Sequence, residues 1–287
     1  MSISRQNLTI IIVTLKSENI IHKCIESIDQ NIPIIIVENS SNQEFKNDLE
    51  SKYQNLKCIL SGSNLGMGAA NNIGIKSAKT EYVFILNPDV KFNDYTLKKI
   101  FEASEQISDF TILSPKNSDP NYPNYKESKT NKNTNENIIN VDYIDGFSML
   151  INKEKFHEEE FFDENFFLYL ENNDLCLRMK KKDHKIYIIK NSTVDHHGGI
   201  STDKLLFNET EYLRNWHWMC SKFYFNKKLY GYLNAFNKVF LNLLSAMLKY
   251  FFYLISFNFY KRNIYYMRMS GLFNSMLGRK SWYRIKD

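Results

Sequence analysis

The first 113 residues alternate short continuous apolar runs with segments whose apolar residues recur every three or four positions. The first run, LTIIIVT at 8–14, has the length and β-branched content of a buried strand, and apolar residues at helical spacing follow it at 17–29. The alternation continues with predicted strands at 33–37, 56–60 and 81–86 and predicted helices at 45–53 and 69–77. Strands that alternate with helices pair in parallel, so the pattern predicts a doubly wound, mostly parallel α/β sheet with flanking helices.

The pattern changes in the middle of the chain. Residues 114–140 are rich in Asn, Lys, Pro and Ser and have almost no apolar positions, which predicts a mobile surface loop. Apolar structure resumes at 141–152, and a predicted helix at 172–182 precedes a predicted strand at 185–189. We therefore expect one α/β domain over 1–206, with a first half of about 1–113 and a second half of about 141–206.

Residues 207–287 contain no proline, and they predict a separate helical region. Between Phe236 and Ile255 the large apolar residues follow the 3.6-residue period of a helix, whereas polar residues such as Lys238 and Lys249 fall on the other side. This pattern predicts a helix with a broad apolar face and a narrow polar stripe.

Net charge separates the same two regions. The chain carries +5 overall, but residues 1–206 have 24 basic and 29 acidic side chains, whereas 207–287 have 13 basic and 3 acidic ones and 23 of the 42 aromatic residues. A basic, aromatic helix of this kind favours a peripheral position on the cytosolic face of the inner membrane, with Lys and Arg at anionic headgroups. The alternative is that its apolar face packs on the α/β domain or on another subunit, as in a homodimer. No nucleic-acid binding is expected, because the basic residues are dispersed among apolar stretches.

Composition excludes several other classes of protein. With 43% apolar and 24% charged residues, the chain is neither disordered, collagen-like nor a disulfide scaffold. The four cysteines form no CxxC pair, and the first apolar run lacks a signal-peptide cleavage site. These features favour a reduced, cytoplasmic environment and argue against a metal–thiolate site.

Polar residues cluster where the predicted strands end. The three clusters are Glu38-Asn39-Ser40-Ser41 after the second strand, Asn64-Leu65-Gly66-Met67-Gly68 after the third and Asn87-Pro88-Asp89 after the fourth; Thr14 stands at the end of the first strand. Carboxyl ends of parallel strands meet at one edge of a sheet, so these clusters predict a single crevice; the alternative is that they only make turns. No GxGxxG follows the first strand and no Walker lysine loop is present, which disfavours a dehydrogenase-type dinucleotide site.

Six stretches, in order and spacing over roughly 8–202, carry a resemblance to a known family. They are TIIIVTLKSENIIHKCIESI, IIIVENSS, NLGMGAANNIGIKSAKTEYVFILNPDV, DGFSMLINKEKF, FFDENFFLYLENNDLCLRMKKKDHKIY and VDHHGGIS. Together they resemble the metal-dependent family 2 glycosyltransferases and, within them, the rhamnosyltransferase-like branch. The resemblance implies a GT-A fold whose first half binds the nucleotide and whose second half binds the acceptor.

The resemblance also implies which residues bind a nucleotide-sugar donor. Glu38 corresponds to the acid that accepts a hydrogen bond from the nucleobase or ribose, and the glycines permit close approach of a phosphate to a helix N-terminus. Asp145 lies in the segment beneath the sugar and the acceptor. The complete donor-side set is Thr14, Glu38, Asn39, Asn64, Gly66, Gly68, Asn72, Asn87 and Asp145.

A divalent cation, Mg²⁺ or Mn²⁺, is implied as well. Asp89 matches the second acid of the DxD-type motif, which holds the cation on the donor diphosphate. Asn87 takes the place of the first acid and offers only a neutral carbonyl. His196 corresponds to the family's late histidine near the metal, and His197 is the weaker candidate.

The catalytic base is the point at which this chain departs from the family. The family usually has Glu-Asp-x-Asp where this chain has Glu171-Asn172-Asn173-Asp174. An inverting transfer needs a carboxylate to accept the proton of the acceptor hydroxyl, and Asn172 cannot do so. Glu171, which we prefer, or Asp174 would then be the base, unless the enzyme is impaired. Arg178 is expected to pair with Asp174.

The resemblance thus implies an inverting, metal-dependent transfer of a sugar, with L-rhamnose from its dTDP donor as one candidate, to a glycan or lipid-linked saccharide. A nucleotide-sugar-binding subunit of a glycan-assembly complex that has lost its base is the main alternative. A nucleotidyltransferase is a third hypothesis.

Overall fold

The computed structural model describes residues 2–107, 109–128, 135–156, 161–196 and 207–284. Contacts between residues divide the chain into two compact units. The sheet unit comprises 1–163 and 172–201, and the helical unit comprises 164–171 and 202–287.

A mixed β-sheet forms the centre of the sheet unit. Its strands are β1 Leu8–Thr14, β2 Ile34–Glu38, β3 Leu56–Leu60, β4 Tyr82–Leu86, β5 Val90–Phe92, β6 Ile112–Asn117, β7 Tyr125–Glu127, β8 Ile138–Ile144, β9 Ser148–Asn152 and β10 Ile186–His196. The flanking helices are α1 Ile21–Glu26, α2 Gln43–Lys52, α3 Met67–Ser77, α4 Thr96–Gln106 and α5 Glu171–Lys181. The strand order is β3-β2-β1-β4-β9-β6-β10-β8-β7, with β5 paired to β10. Strands β1 to β4 pair in parallel, and the predicted α/β fold is confirmed.

The apolar runs are continuous because the central strands are covered on both faces. Every residue of β1, β2 and β4 is buried. Ile10 and Ile12 pack into the apolar cluster on one face of the sheet, and Ile11 and Val13 pack into the cluster on the other. Burial on both faces fixes the ends of β1, β2 and β4 and therefore fixes the position of the polar residues that follow them.

The prediction of a loop over 114–140 is wrong at its start. Residues 114–117 continue β6, which pairs in parallel with β10. Pro115 has no N–H to donate, but the pairing of β6 with β9 ends at Leu113, so this part of β6 has a strand partner on one side only. On the other side, the buried side chain of Asn124 accepts from Asn117 N and donates to Pro115 O, at 2.9 Å each. Strands β7 and β8 take up further parts of the same segment.

Strand β10 extends well beyond the predicted 185–189. It is parallel to β6, shifts register between Ile189 and Thr193, and then pairs with β5 in antiparallel orientation. In that last ladder His196 lies opposite Val90. The extension brings the end of β10 next to the turn that follows β4.

The helical unit contains α6 Phe207–Tyr230, α7 Tyr232–Ile255 and α8 Phe259–Met276. The chain breaks between helices at Gly231 and Phe257, whose φ angles of 79° and 54° lie in the left-handed region. The predicted helical region is confirmed, although the sequence did not indicate these two breaks. Among the described residues, α7 is the one helix that is long and apolar enough to cross a membrane, and 17% of its most apolar window is buried.

Candidate functional site

Glu38 is held at the sheet edge by two hydroxyl groups. Thr14 ends β1 directly opposite Glu38 in the parallel ladder, and its Oγ1 donates to Glu38 Oε2 at 2.6 Å. Ser40, which belongs to the predicted polar cluster but not to the predicted donor-side set, donates to Oε1 at 2.6 Å. Glu38 is only 1% exposed, and burial raises the pKa of its carboxyl group although both hydroxyls oppose that rise. The two hydrogen bonds fix the orientation of the carboxylate.

Asn39 joins the end of β2 to the loop before α3. Its Oδ1 accepts from Leu65 N at 2.9 Å, and its Nδ2 donates to Asn64 Oδ1 at 3.2 Å. Asn64 Oδ1 also accepts from Gly66 N at 3.1 Å. Gly66 precedes α3 with φ of 88°, a left-handed conformation that favours glycine. The predicted residues Asn39, Asn64 and Gly66 thus form one hydrogen-bonded loop at the N-terminus of α3.

The amide of Asn72 bonds to a different segment of the chain. Asn72 Nδ2 donates to Phe162 O at 2.8 Å, and Asn72 Oδ1 accepts from Phe162 N at 3.0 Å. Gly68 lies buried in the first turn of the same helix. These contacts make Asn72 a support for the 161–163 segment, whereas we had predicted that it binds the donor.

Asp89 and His196 lie together beyond the ends of β4 and β10. His196 Nε2 is 3.4 Å from Asp89 Oδ1, because the β5–β10 ladder aligns His196 with Val90. Asn87 donates its backbone N–H to Phe147 O at 2.9 Å, and Cys24 Sγ lies 3.7 Å from Asn87 O. These bonds hold the turn that carries Asp89.

Phe147 and Asp145 also interact with His196. The Phe147 ring stacks on the imidazole, with centroids 3.9 Å apart and planes at 15°. Burial raises the pKa of Asp145, and the charge of His196 acts in the opposite direction. Phe147 was not among the predicted site residues, although it lies in the stretch DGFSMLINKEKF, two residues after the predicted Asp145. His197 lies outside the described residues.

This arrangement fits a divalent cation that takes some of its ligands from the protein and the others from a substrate. Asp89 Oδ1 is buried and has no hydrogen-bond partner among the described residues, so an acceptor is available there. In the part of the chain that the structure describes, no group of three or more His, Cys, Asp or Glu side chains is placed to hold a metal alone. Mg²⁺ commonly takes one or two protein ligands and completes its shell with substrate phosphates and water. The same reasoning applies to Mn²⁺, which carboxylate, carbonyl and water ligands also suit.

The residues at the predicted base position differ in their surroundings. Asn172 is buried, and its Nδ2 donates to Ile144 O at 2.8 Å. A Cβ added to Gly146 would lie 3.4 Å from Asn172 Cβ, so the two residues are in close contact. Asn172 therefore anchors α5 to the end of β8.

Asp174 is fully buried, with 0% exposure, and its Oδ2 accepts from Arg178 Nε at 2.8 Å. The predicted pairing of Arg178 with Asp174 is confirmed. Arg178 also donates to Phe161 O. A carboxylate in this position binds an arginine of its own helix and has no exposed surface at which an acceptor could approach.

Glu171 is the first residue of α5, and one of its carboxylate oxygens is buried without a hydrogen-bond donor among the described residues. The residue is partly exposed, but its Oε2 is buried and finds no hydrogen-bond partner within the described ranges. Burial raises the pKa of its carboxyl group to about 7. Tyr169 and Leu170 precede it with φ angles of 70° and 69°, a strained conformation for residues with side chains. A carboxyl group with this pKa can accept a proton near neutral pH.

Comparisons with known proteins identify the family and the fold. A family model for glycosyl transferase family 2 matches residues 9–171. The chain is similar to the low-salt glycan biosynthesis hexosyltransferase Agl10 of Haloferax volcanii, with 27% identity over 47% of this chain and 49% of the relative. The chain therefore spans about half the length of that curated relative.

Two solved structures share the fold. One is the mannosyltransferase PcManGT from Pyrobaculum calidifontis in complex with GDP-Man and Mn²⁺, with a TM-score of 0.56 and 10% identity over 96% of this chain and 88% of that chain. The other is GalNAc-T7 with UDP, GalNAc and Mn²⁺, with a TM-score of 0.52 and 15% identity over 75% of this chain and 50% of that chain. They confirm the GT-A fold, and the rhamnosyltransferase-like branch stays a prediction. Because the family model covers more than half of the sequence, the chain belongs to glycosyl transferase family 2.

Proposed function

We propose that the chain is an inverting, metal-dependent glycosyltransferase that moves a sugar from a nucleotide-sugar donor to a hydroxyl group of a glycan acceptor. The observation that carries the proposal is the approach of His196 Nε2 to Asp89 Oδ1 at 3.4 Å. Asp89 follows β4 and Glu38 ends β2, so both acids belong to the edge of the sheet where parallel strands place their carboxyl ends.

Glu38 is suited to bind the nucleoside. Its oxygens accept from Thr14 and Ser40, and a carboxylate has further lone pairs for a ribose hydroxyl or a ring N–H. The loop formed by Asn39, Asn64 and Gly66 leads into α3, whose N-terminal N–H groups favour a phosphate.

Asp89 and His196 would hold the cation, and Asn87 remains a candidate through its neutral carbonyl. The two solved structures named with Mn²⁺ support a divalent ion at this place. Such an ion, when bound, neutralises charge on the departing diphosphate.

Glu171 is proposed as the base. As the acceptor oxygen bonds to the anomeric carbon, its proton passes to the Glu171 carboxylate, the bond from the anomeric carbon to the phosphate oxygen breaks, and the nucleoside diphosphate leaves. The pKa of about 7 suits proton transfer at neutral pH. Asp174, bound to Arg178, and Asn172, bound to Ile144 O, are proposed to position α5.

One observation favours a second candidate function. The side chain at the family's base position, Asn172, is bound to the backbone, which would also suit a nucleotide-sugar-binding subunit without transfer activity. Turnover distinguishes the two functions, because a binding subunit would bind the nucleotide in a metal-dependent manner without consuming the donor.

The finer assignments rest on the resemblance. L-rhamnose from dTDP-rhamnose is the proposed donor, and a cell-surface or lipid-linked saccharide at the cytosolic face of the inner membrane is the proposed acceptor. The relative named for glycan biosynthesis supports a glycan acceptor.

The test is turnover of the purified full chain with a panel of dTDP-, UDP- and GDP-sugars, measured as release of nucleoside diphosphate with and without Mg²⁺ or Mn²⁺. Chelation and Asp89→Ala are each expected to lower turnover at least about a thousandfold. Asp94→Ala is the control: it removes an exposed carboxylate five residues after Asp89 in the sequence and should leave turnover unchanged. Metal-independent turnover by the wild-type chain would overturn the proposal.

A further inference from the structure

The outward face of α7 carries larger apolar side chains than the face that packs inside the helical unit. The packed face consists of Ala235, Val239, Leu243 and Ala246. The outward face carries larger apolar side chains, of which Leu233, Leu241, Leu248, Phe252 and Ile255 are each more than 60% exposed. A surface helix of a soluble protein shows the opposite distribution. Together the outward side chains form an apolar strip, interrupted by Asn237, along the length of α7, which is about 36 Å given 24 residues at about 1.5 Å each.

Basic residues border the strip along one side. Lys238 and Lys249 are eleven residues apart, which is three helical turns, so they share one edge of α7. Each ammonium group lies over a tyrosine ring, Lys238 Nζ at 3.5 Å from the centroid of Tyr230 and Lys249 Nζ at 5.3 Å from that of Tyr265. Tyrosine and lysine are the residues that anchor proteins at the level of lipid headgroups.

The positive charge of the helical unit favours an anionic lipid surface over a second copy of the chain as the partner of the strip. From Tyr212 to Lys286 the sequence contains no acidic residue and 13 basic ones. A second copy of the chain would bring two such basic surfaces together without acidic partners, and like charges repel. An anionic lipid surface offers both an apolar interior for the strip and phosphate groups for the lysines.

The packing of α7 against α6 and α8 favours one orientation of the helix relative to a membrane. Val239 and Leu243 pack with Met219 and Phe223 of α6 and with Leu272 of α8. Lys222 of α6 donates to Asn242 Oδ1 of α7 at 2.9 Å. A membrane-spanning α7 would draw the charged α6 into hydrocarbon, whereas a helix in the plane of the interface keeps these contacts.

We infer that the outward face of α7 binds anionic membranes, with the helix in the plane of the interface, the apolar strip at the acyl boundary, and Lys238 and Lys249 among the headgroups. Vesicle binding and sugar transfer are separate readouts, so failure of this inference would leave the proposed function intact.

The experiment is vesicle flotation of the full chain with phosphatidylcholine alone and with roughly a quarter of phosphatidylglycerol. The wild-type chain should float with the anionic vesicles. Leu241 and Leu248 are 73% and 63% exposed, so the double variant Leu241→Asn/Leu248→Asn should fold normally and lower the partition coefficient at least about tenfold. Tyr122→Asn, at an exposed position of the sheet unit, is the control and should float like the wild type.

A gain of binding excludes misfolding as the explanation. Asn237 is exposed and lies on the strip, one turn before Leu241. Asn237→Leu should therefore strengthen flotation severalfold. Lys238→Gln and Lys249→Gln should each weaken binding to anionic vesicles about fivefold and leave binding to neutral vesicles unchanged.

Three outcomes would overturn the inference. The first is flotation that the leucine variant does not change. The second is a lipid-free dimer of the wild type in sedimentation that Leu241→Asn/Leu248→Asn converts to monomers, since the strip would then bind a second copy. The third is retention of the chain on vesicles in alkaline carbonate, which indicates a spanning helix, whereas release is expected for a helix in the interface.

Discussion

The side chain of Asn172 donates to the backbone carbonyl of Ile144 at 2.8 Å, and this bond joins the start of α5 to the end of β8. An aspartate at this position could not donate, and its negative charge would face a carbonyl oxygen. We therefore predict that Asn172→Asp, which restores the acid usual in the family, destabilises the protein by about 1–3 kcal/mol. Turnover should not rise, as measured alongside denaturant unfolding. A faster enzyme would show that Asn172 occupies the position of the base after all.

The pH dependence of turnover should report on Glu171. If its carboxylate is the base, turnover rises about tenfold per pH unit below a pKa of about 7 and levels off above it. Glu171→Gln should lower turnover by at least about a hundredfold at pH 8 while donor affinity changes less than about twofold. An equal loss of donor binding would assign Glu171 a different role.

Stability should depend on the same group. The pKa of Glu171 is raised in the folded protein from 4.5 to about 7, so the folded state holds a proton that the unfolded chain releases. The stability that this proton contributes is complete below pH 4.5 and is lost as the pH rises through about 7. Glu171→Gln should therefore be more stable than the wild type at pH 8, by about 1–3 kcal/mol, and similar to it at about pH 4. Urea unfolding at both pH values measures the difference, and an equal effect at both would contradict it.

Asp174 should matter for stability and not for proton transfer. Asp174→Asn weakens the bond to Arg178 in a fully buried position, which we expect to cost about 2–3 kcal/mol. Turnover per folded molecule should remain within about threefold of the wild type. Asp142→Asn is the matched control, because Asp142 is 40% exposed and lies 4.0 Å from Lys180, so its loss should change stability by less than about 0.5 kcal/mol. A collapse of turnover in folded Asp174→Asn would restore Asp174 as the base.

Asn72 provides a test that separates support from donor binding. Asn72→Ala removes both bonds to Phe162 and should cost about 2–3 kcal/mol in unfolding free energy. The KM for the donor should not change. Asn47→Ala, on the exposed side of α2, is expected to have little effect on either quantity. A large rise in KM with unchanged stability would return Asn72 to the donor site.

The parallel half of the sheet could be predicted because its signal is local. Strands β1 and β3 have the bounds that the apolar runs indicate. Strand β1 is buried on both faces, which requires a continuous apolar run, whereas β3 exposes Lys57. The first residues of the predicted 114–140 loop were misassigned because Pro115 and polar neighbours are unusual in a strand. Their pairing depends on Asn124, whose side chain supplies bonds that a neighbouring strand would otherwise make.

In the candidate site, too, features set by the local sequence could be predicted, whereas contacts between residues far apart in the sequence could not. Thr14, Glu38, Asn39 and Asn64 come together because strand ends follow directly from the sequence pattern. The role of Asn72 depends on Phe162, which lies 90 residues away. Hydrogen bonds over such distances leave no periodic signal, so amides that support the fold resemble amides that bind a ligand.

The burial of all four cysteines has a practical consequence. Cys24, Cys58, Cys176 and Cys220 are free and buried, and burial raises the pKa of each thiol. Reaction with a maleimide requires an accessible thiolate, so the native fold should be almost inert to such reagents. Leu248→Cys would therefore give a single labelling position on α7. A fluorophore attached there would show directly, in one spectrum, whether this helix is surrounded by water or by lipid.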